Sequence, residues 1–202
     1  MSTCRYSKLR RAWLVAAALL LPTAALAHPA IGPTAGLTHG FAHPIGGIDH
    51  VLAMLAVGML AANLGGRALW ALPLAFISLM VAGGALGMAG VPIPYVEMAV
   101  GLSVVVIGAA VATQRQWPVV AAATLVGIFA LFHGHAHGTE LAPTMSAGAF
   151  TAGFVLATGL LLLTGIALWA GIARLGPRPA RLCGQLGGGA IALAGVALLA
   201  AG

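Results

Sequence analysis

Residues 68–89 read ALWALPLAFISLMVAGGALGMA, 22 positions without one charged side chain. At 1.5 Å per residue, a helix of that length is about 33 Å long, which matches the hydrocarbon core of a bilayer. Five further apolar runs, broken by Pro, Gly or charge, fall at about 41–63, 93–113, 117–134, 146–172 and 180–201. All are near spanning length. Of the 202 residues, 61% are hydrophobic and 6% are charged, against about a quarter charged in an ordinary soluble domain. A soluble fold is excluded. The expected architecture is an all-α membrane protein, a six-helix transmembrane bundle with lipid as its surroundings.

Ahead of these runs lies a different kind of segment. Arg5, Lys8, Arg10 and Arg11 precede a short apolar core from Ala12 to Leu21, and Ala25, Leu26 and Ala27 form a small-x-small site. This is the layout of a secretory signal peptide, because the core falls short of the roughly 20 residues that span a bilayer. Residues 1–27 are therefore expected to be cleaved, leaving 28–202 as a six-span transmembrane domain. Cleavage puts the new N-terminus outside, and six crossings return the C-terminus to the same side. The five remaining basic residues, Arg67, Arg115, Arg174, Arg178 and Arg181, then all fall in or beside inside loops, and the outside loops hold none. The positive-inside rule thus agrees with the orientation set by cleavage, namely a multi-pass protein of the bacterial inner membrane with periplasmic termini.

The net charge of +6 carries no nucleic-acid signal, since the basic residues form no patch interleaved with aromatics. Cys4 would leave with the signal peptide and Cys183 would stand alone, so the mature chain can form no internal disulfide. Gly83 and Gly87, and again Gly184 and Gly188, recur at four-residue spacing, which lets helix backbones approach closely in lipid.

The chemistry is concentrated in very few side chains. The chain has three acids, Asp49, Glu97 and Glu140, and seven histidines, at 28, 39, 43, 50, 133, 135 and 137. On the expected topology all ten lie in the outer half. An ionisable group near the bilayer centre costs about 2.5–3.5 kcal/mol on insertion scales, so such residues persist where function or pairing compensates. The first cluster is HPIGGIDH, from His43 to His50, with Met54 one turn further on. His43 and His50 are nearly two helical turns apart and are expected to share a face. Pro44, Gly46 and Gly47 complicate that helix and suggest an opened backbone lining a cavity. The second cluster is FHGHAHGTE, from Phe132 to Glu140, at the outer end of the fourth span. His133, His137 and Glu140 occupy one helical face there, and His135 points elsewhere.

Imidazole with carboxylate suits nickel, cobalt, zinc or copper(II), and the lack of a cysteine pair argues against a thiolate site for softer metals. The candidate metal ligands are therefore His43, Asp49, His50, His133, His137 and Glu140. Secondary candidates are His135, Glu97, His39, His28 and Met54, although a lone histidine such as His28 or His39 is more often interfacial, and Met54 suits packing. Glu97 either completes the constellation or carries protons. If one site is formed, the His43–His50 segment must come within metal-bridging reach of His133, His137 or Glu140.

The His-x5-Asp-His of His43 to His50 and the Phe-His-Gly-x-Ala-His-Gly-x-Glu of Phe132 to Glu140 resemble the two signatures of the HupE/UreJ family, nickel permeases accessory to hydrogenases and ureases. A second nickel–cobalt transporter family is similar in using His-x4-Asp-His, and the extra residue in the gap here favours HupE/UreJ. The resemblance implies that His43, Asp49, His50, His133, His137 and Glu140 handle the metal, that hydrogenase or urease maturation proteins are partners, and that Ni2+ or Co2+ is cargo rather than cofactor.

The single lysine is Lys8, inside the expected signal peptide, so a Walker A phosphate loop is absent and ATP hydrolysis by this chain is excluded. The expected function is secondary transport of a divalent transition metal inward, with no enzymatic activity. The alternative is a membrane-embedded metal-dependent hydrolase, since histidines with an acid also hold zinc and activate water.

Overall fold

The structure is a computed structural model that describes residues 33–141 and 146–201. The expected signal peptide, and His28 after it, lie outside the described residues. Within them the chain is all helical: α1 (Pro33–Gly46), α2 (Ile48–Leu64), α3 (Ala68–Met88), α4 (Val96–Thr113), α5 (Val119–Glu140), α6 (Ala147–Ala173) and α7 (Pro177–Ala201). Helices α3 to α7 are each long and apolar enough to cross a membrane, which gives five crossings, or six if the bent pair α1–α2 forms one.

That pair corrects the first expected span. Instead of one helix over 41–63, the chain turns by 81° between α1 and α2. The break falls at Gly47, which is extended at φ −95° and ψ 117°. Pro44 and Gly46 precede it; the proline contributes no backbone N–H to the last turn of α1, and glycine is a poor helix former, so the helix ends cheaply here. A new helix starts at once, with Val51 N donating to Gly47 O at 3.0 Å. The fourth expected span is corrected too. Expected over about 117–134, it extends further: α5 runs unbroken to Glu140, which bears out the shared helical face of His133, His137 and Glu140.

The reason is the use made of Gly134 and Gly138. A Cβ at either would land on backbone of α3, against the carbonyls of Met80 and Gly84, and Gly83 of α3 meets Leu131 O in the same way. These glycines are contact surfaces that bring two backbones together, rather than helix ends. Gly108 and Gly188 do the same between α4 and α7, and Gly58 and Gly165 between α2 and α6. Large buried side chains, Met54, Leu60, Leu72, Phe76, Ile107 and Leu162 among them, fill the remaining interior.

Chain direction sorts the charges. Helices α2, α4 and α6 run away from the end that holds Asp49 and Glu97, and α3, α5 and α7 return to it. All three acids therefore lie at one end of the bundle, and the turns that carry Arg67, Arg115 and Arg174 lie at the other.

Candidate metal centre

The bend at Gly47 and the length of α5 decide what meets at the acidic end. His43, on the last turn of α1, and Asp49 and His50, on the first turn of α2, project from two different axes toward the last two turns of α5. His43 Nε2 lies 2.9 Å from Glu140 Oε2, and His50 Nε2 lies 2.6 Å from His137 Nε2. The two sequence clusters thus converge within hydrogen-bond reach. They do so because α1 and α2 diverge, not because His43 and His50 share a helical face.

The hydrogen bonds assign protons. A carboxylate only accepts, so His50 donates from Nδ1 to Asp49 Oδ1 at 2.8 Å, and its neutral ring then offers the Nε2 lone pair. Asp49 Oδ1 also accepts from the His50 backbone N–H at 2.8 Å, which locks the pair. This is the carboxylate–histidine arrangement that orients metal-ligating imidazoles. His137 must then donate from Nε2 to His50 Nε2, leaving His137 Nδ1 with a lone pair. That atom is buried without a hydrogen-bond partner, 3.7 Å from Glu140 Oε2. Two lone-pair atoms facing each other repel unless a proton or a cation lies between them. Ligand atoms of His43, His137 and Glu140 all lie within 4.8 Å of one another. With metal–nitrogen and metal–oxygen bonds of about 2.0–2.2 Å, small side-chain shifts would let one ion touch all three.

Side-chain exposure falls steadily inward. It is 57% at Glu140 and 26% at His43, 9% at His137 and 8% at His50, and His133 has no exposed surface. The rings follow each other closely: His43 to His137 at 4.5 Å, His137 to His50 at 4.2 Å, and His50 to His133 at 4.5 Å between centroids. The outer members line an open cavity of about 470 Å³, together with Asp49, Glu97 and His39.

Of the secondary candidates, His39 stacks on His43 at 5.6 Å and Glu97 lines the cavity wall. His135 is separate, with Nε2 donating to Val91 O at 2.7 Å in the turn after α3. Met54 is fully buried in the apolar core. The sequence reading missed Ser103, whose Oγ lies 2.8 Å from His133 Nε2; its only sequence signal is a hydroxyl within an apolar span. It also missed Phe150 and Phe154, four residues apart on α6, whose rings pack on His43 and His137 at 5.8 and 4.5 Å.

Comparison with known proteins agrees with the motif resemblance. The profile of the family described as HupE / UreJ protein matches residues 16–198. The curated "Protein HupE" of Rhizobium leguminosarum bv. viciae is 46% identical over 196 residues, covering 96% of this chain and 98% of that protein. No solved structure matches. On a match that takes in nearly its whole length, the chain belongs to the HupE/UreJ family.

Proposed function

We propose that the protein is a secondary transporter that carries a divalent transition metal inward across the bacterial inner membrane, with nickel the preferred cargo and cobalt the nearest competitor. The delivered metal serves hydrogenase or urease maturation. One observation carries this reading: the two histidine–acid motifs, 87 residues apart, meet nitrogen to nitrogen at the floor of an open cavity, with Asp49 fixing the lone pair of His50. Family membership supports it, since HupE/UreJ proteins are the nickel permeases that the motifs resemble.

The donor chemistry suits the cargo. Imidazole and carboxylate together favour nickel, cobalt, zinc or copper(II) over magnesium and calcium. Glu140 and Asp49 supply the negative charge that offsets part of the dehydration of a doubly charged ion. Energy need not come from ATP. Each charge moving inward gains about 2.3 kcal/mol per 100 mV, so a divalent ion gains roughly 4.6 kcal/mol, enough for more than a thousandfold accumulation.

The test is radiolabelled nickel uptake at limiting metal, normalised to protein in the membrane. Asp49→Asn keeps size but removes the charge and weakens the hold on His50, so uptake is expected to fall by about tenfold or more, with membrane level nearly unchanged. His50→Ala is expected to do the same. Wild-type nickel accumulation by Asp49→Asn removes the proposed role of this cluster.

A further inference from the structure

Ser103 lies on α4 two turns in from Glu97 and has no exposed surface. Its hydroxyl hydrogen is already committed, because Oγ donates to Val100 O at 2.6 Å. Toward His133 Nε2 at 2.8 Å it can therefore only accept. His133 carries its proton on Nε2, and its neutral ring bears the lone pair on Nδ1. That nitrogen is buried with no hydrogen-bond partner, and a native interior rarely leaves such an atom idle. Its ring stands edge-on to His50, with centroids 4.5 Å apart.

His137 links this inner pair to the outer group. Its Nε2–H donates to His50 Nε2 and its Nδ1 lone pair faces Glu140, so it can ligate an outer ion as it stands and an inner one only once its proton shifts from Nε2 to Nδ1. The outer set, His43, His137 and Glu140, mixes imidazole with a carboxylate at the open cavity. The inner pair, His50 and His133, is imidazole only, with ring centroids 4.5 Å apart. Glu140 lies about 10 Å further out along α5 than His133, from the helical rise over seven residues.

We propose that Ser103 is a positioning residue that holds His133 as a ligand of a second, inner metal station, to which the outer group passes its ion through His137. The inference rests on the transport reading above. Division of labour follows from the donors. A carboxylate-bearing outer group captures any hydrated divalent ion by charge, whereas an all-imidazole station retains nickel, cobalt, zinc or copper(II) and gives magnesium or calcium no oxygen ligand. Ser103 thereby acts on passage rather than on capture.

Initial-rate uptake of radiolabelled nickel by full-length protein in vesicles, as a function of nickel concentration, tests this. Ser103→Ala is expected to lower the maximal rate about tenfold, the usual scale for a lost partner of a metal-ligating histidine, with KM within about twofold of the wild type. Ser103→Thr and Ser103→Val have nearly the same shape, but only threonine keeps a hydroxyl, so threonine is expected to restore transport and valine is not. The pair decides the matter even if Ser103→Ala accumulates poorly. A wild-type maximal rate in Ser103→Ala or Ser103→Val overturns the inference. So does a raised KM at unchanged rate, or equal impairment of the Thr and Val proteins in transport or accumulation. If Asp49→Asn abolishes uptake while every Ser103 protein transports normally, only the inner station fails; if Asp49→Asn transports normally, the transport site itself fails.

Discussion

A neutral imidazole has one bare nitrogen, and the partner of its other nitrogen decides where that lone pair points. Asp49 settles this for His50 and Ser103 settles it for His133, while His135, whose Nδ1 is also buried without a partner, is not part of the cavity lining. Its Nε2 is tied to Val91 O in the turn between α3 and α4, so it braces the fold beside the site without facing the cavity. His135→Ala leaves that carbonyl without its donor, at a cost of about 1–3 kcal/mol. The expected outcome is a lower thermal midpoint in detergent, with nickel uptake per protein within about twofold of the wild type. His137→Ala, by contrast, is expected to abolish uptake. Equal transport loss in the two would mean that His135 also handles metal. At this scale the sequence was informative because ionisable groups stand out in so apolar a chain: His43, Asp49, His50, His133, His137 and Glu140 were all identifiable as a group. Ser103 was not, since one more hydroxyl in a span carries no signal until the ring it touches is known.

Among the helices, period and length located α3, α4, α6 and α7 to within about three residues, because charge, proline and glycine punctuate the apolar runs, and missed only the six-residue extension of α5. The opened backbone at Gly46–Gly47 and the close-approach roles of Gly83, Gly87 and Gly188 were legible, but the contact roles of Gly134 and Gly138, inside a histidine-rich stretch, were not. Gly47 separates two helices, and Gly134 and Gly138 let two helices touch. The two roles predict different failures. A Cβ at Gly47 would stand 2.7 Å from Asp49 Oδ1 and 2.9 Å from His50 Nδ1, inside their hydrogen bond. Its extended backbone tolerates alanine, so Gly47→Ala is expected to accumulate normally in the membrane and to lose about tenfold or more in uptake. Gly134→Val, on the other hand, forces α3 and α5 apart, and the expected outcome is loss of folded protein, read as membrane level and detergent-extracted monodispersity. Normal accumulation of Gly134→Val would show that the close crossing of α3 and α5 is dispensable.

The whole molecule is polar along one axis. Asp49, Glu97, Glu140 and the histidine chain occupy one end, the described arginines gather toward the other, and between them lie Met54, Phe76 and Ile107, all fully buried. Helical register puts Met54 one turn beyond His50 and Ile107 one turn beyond Ser103, so an ion at His133 meets an apolar plug on its way inward. The cavity is lined by residues of the acidic end, and passage through the proposed route requires the helices to rearrange. The arginines give an expectation for which end faces outward: five basic residues near one set of turns and none near the other are expected to keep the arginine end in the cytoplasm. This agrees with the location expected for a site that captures metal from the periplasm. Reporter fusions after Arg67, Arg115 and Arg178 should therefore be active only as cytoplasmic reporters, and a fusion after Gly202 only as an external one. An even number of crossings is needed for that result if the mature N-terminus is external. The fusion at Gly202 consequently also tests whether the bent pair α1–α2 counts as one crossing. A cytoplasmic C-terminus, with signal cleavage verified by N-terminal sequencing, would mean five crossings and would leave α1 and α2 as a re-entrant segment whose histidines enter and leave on the same side.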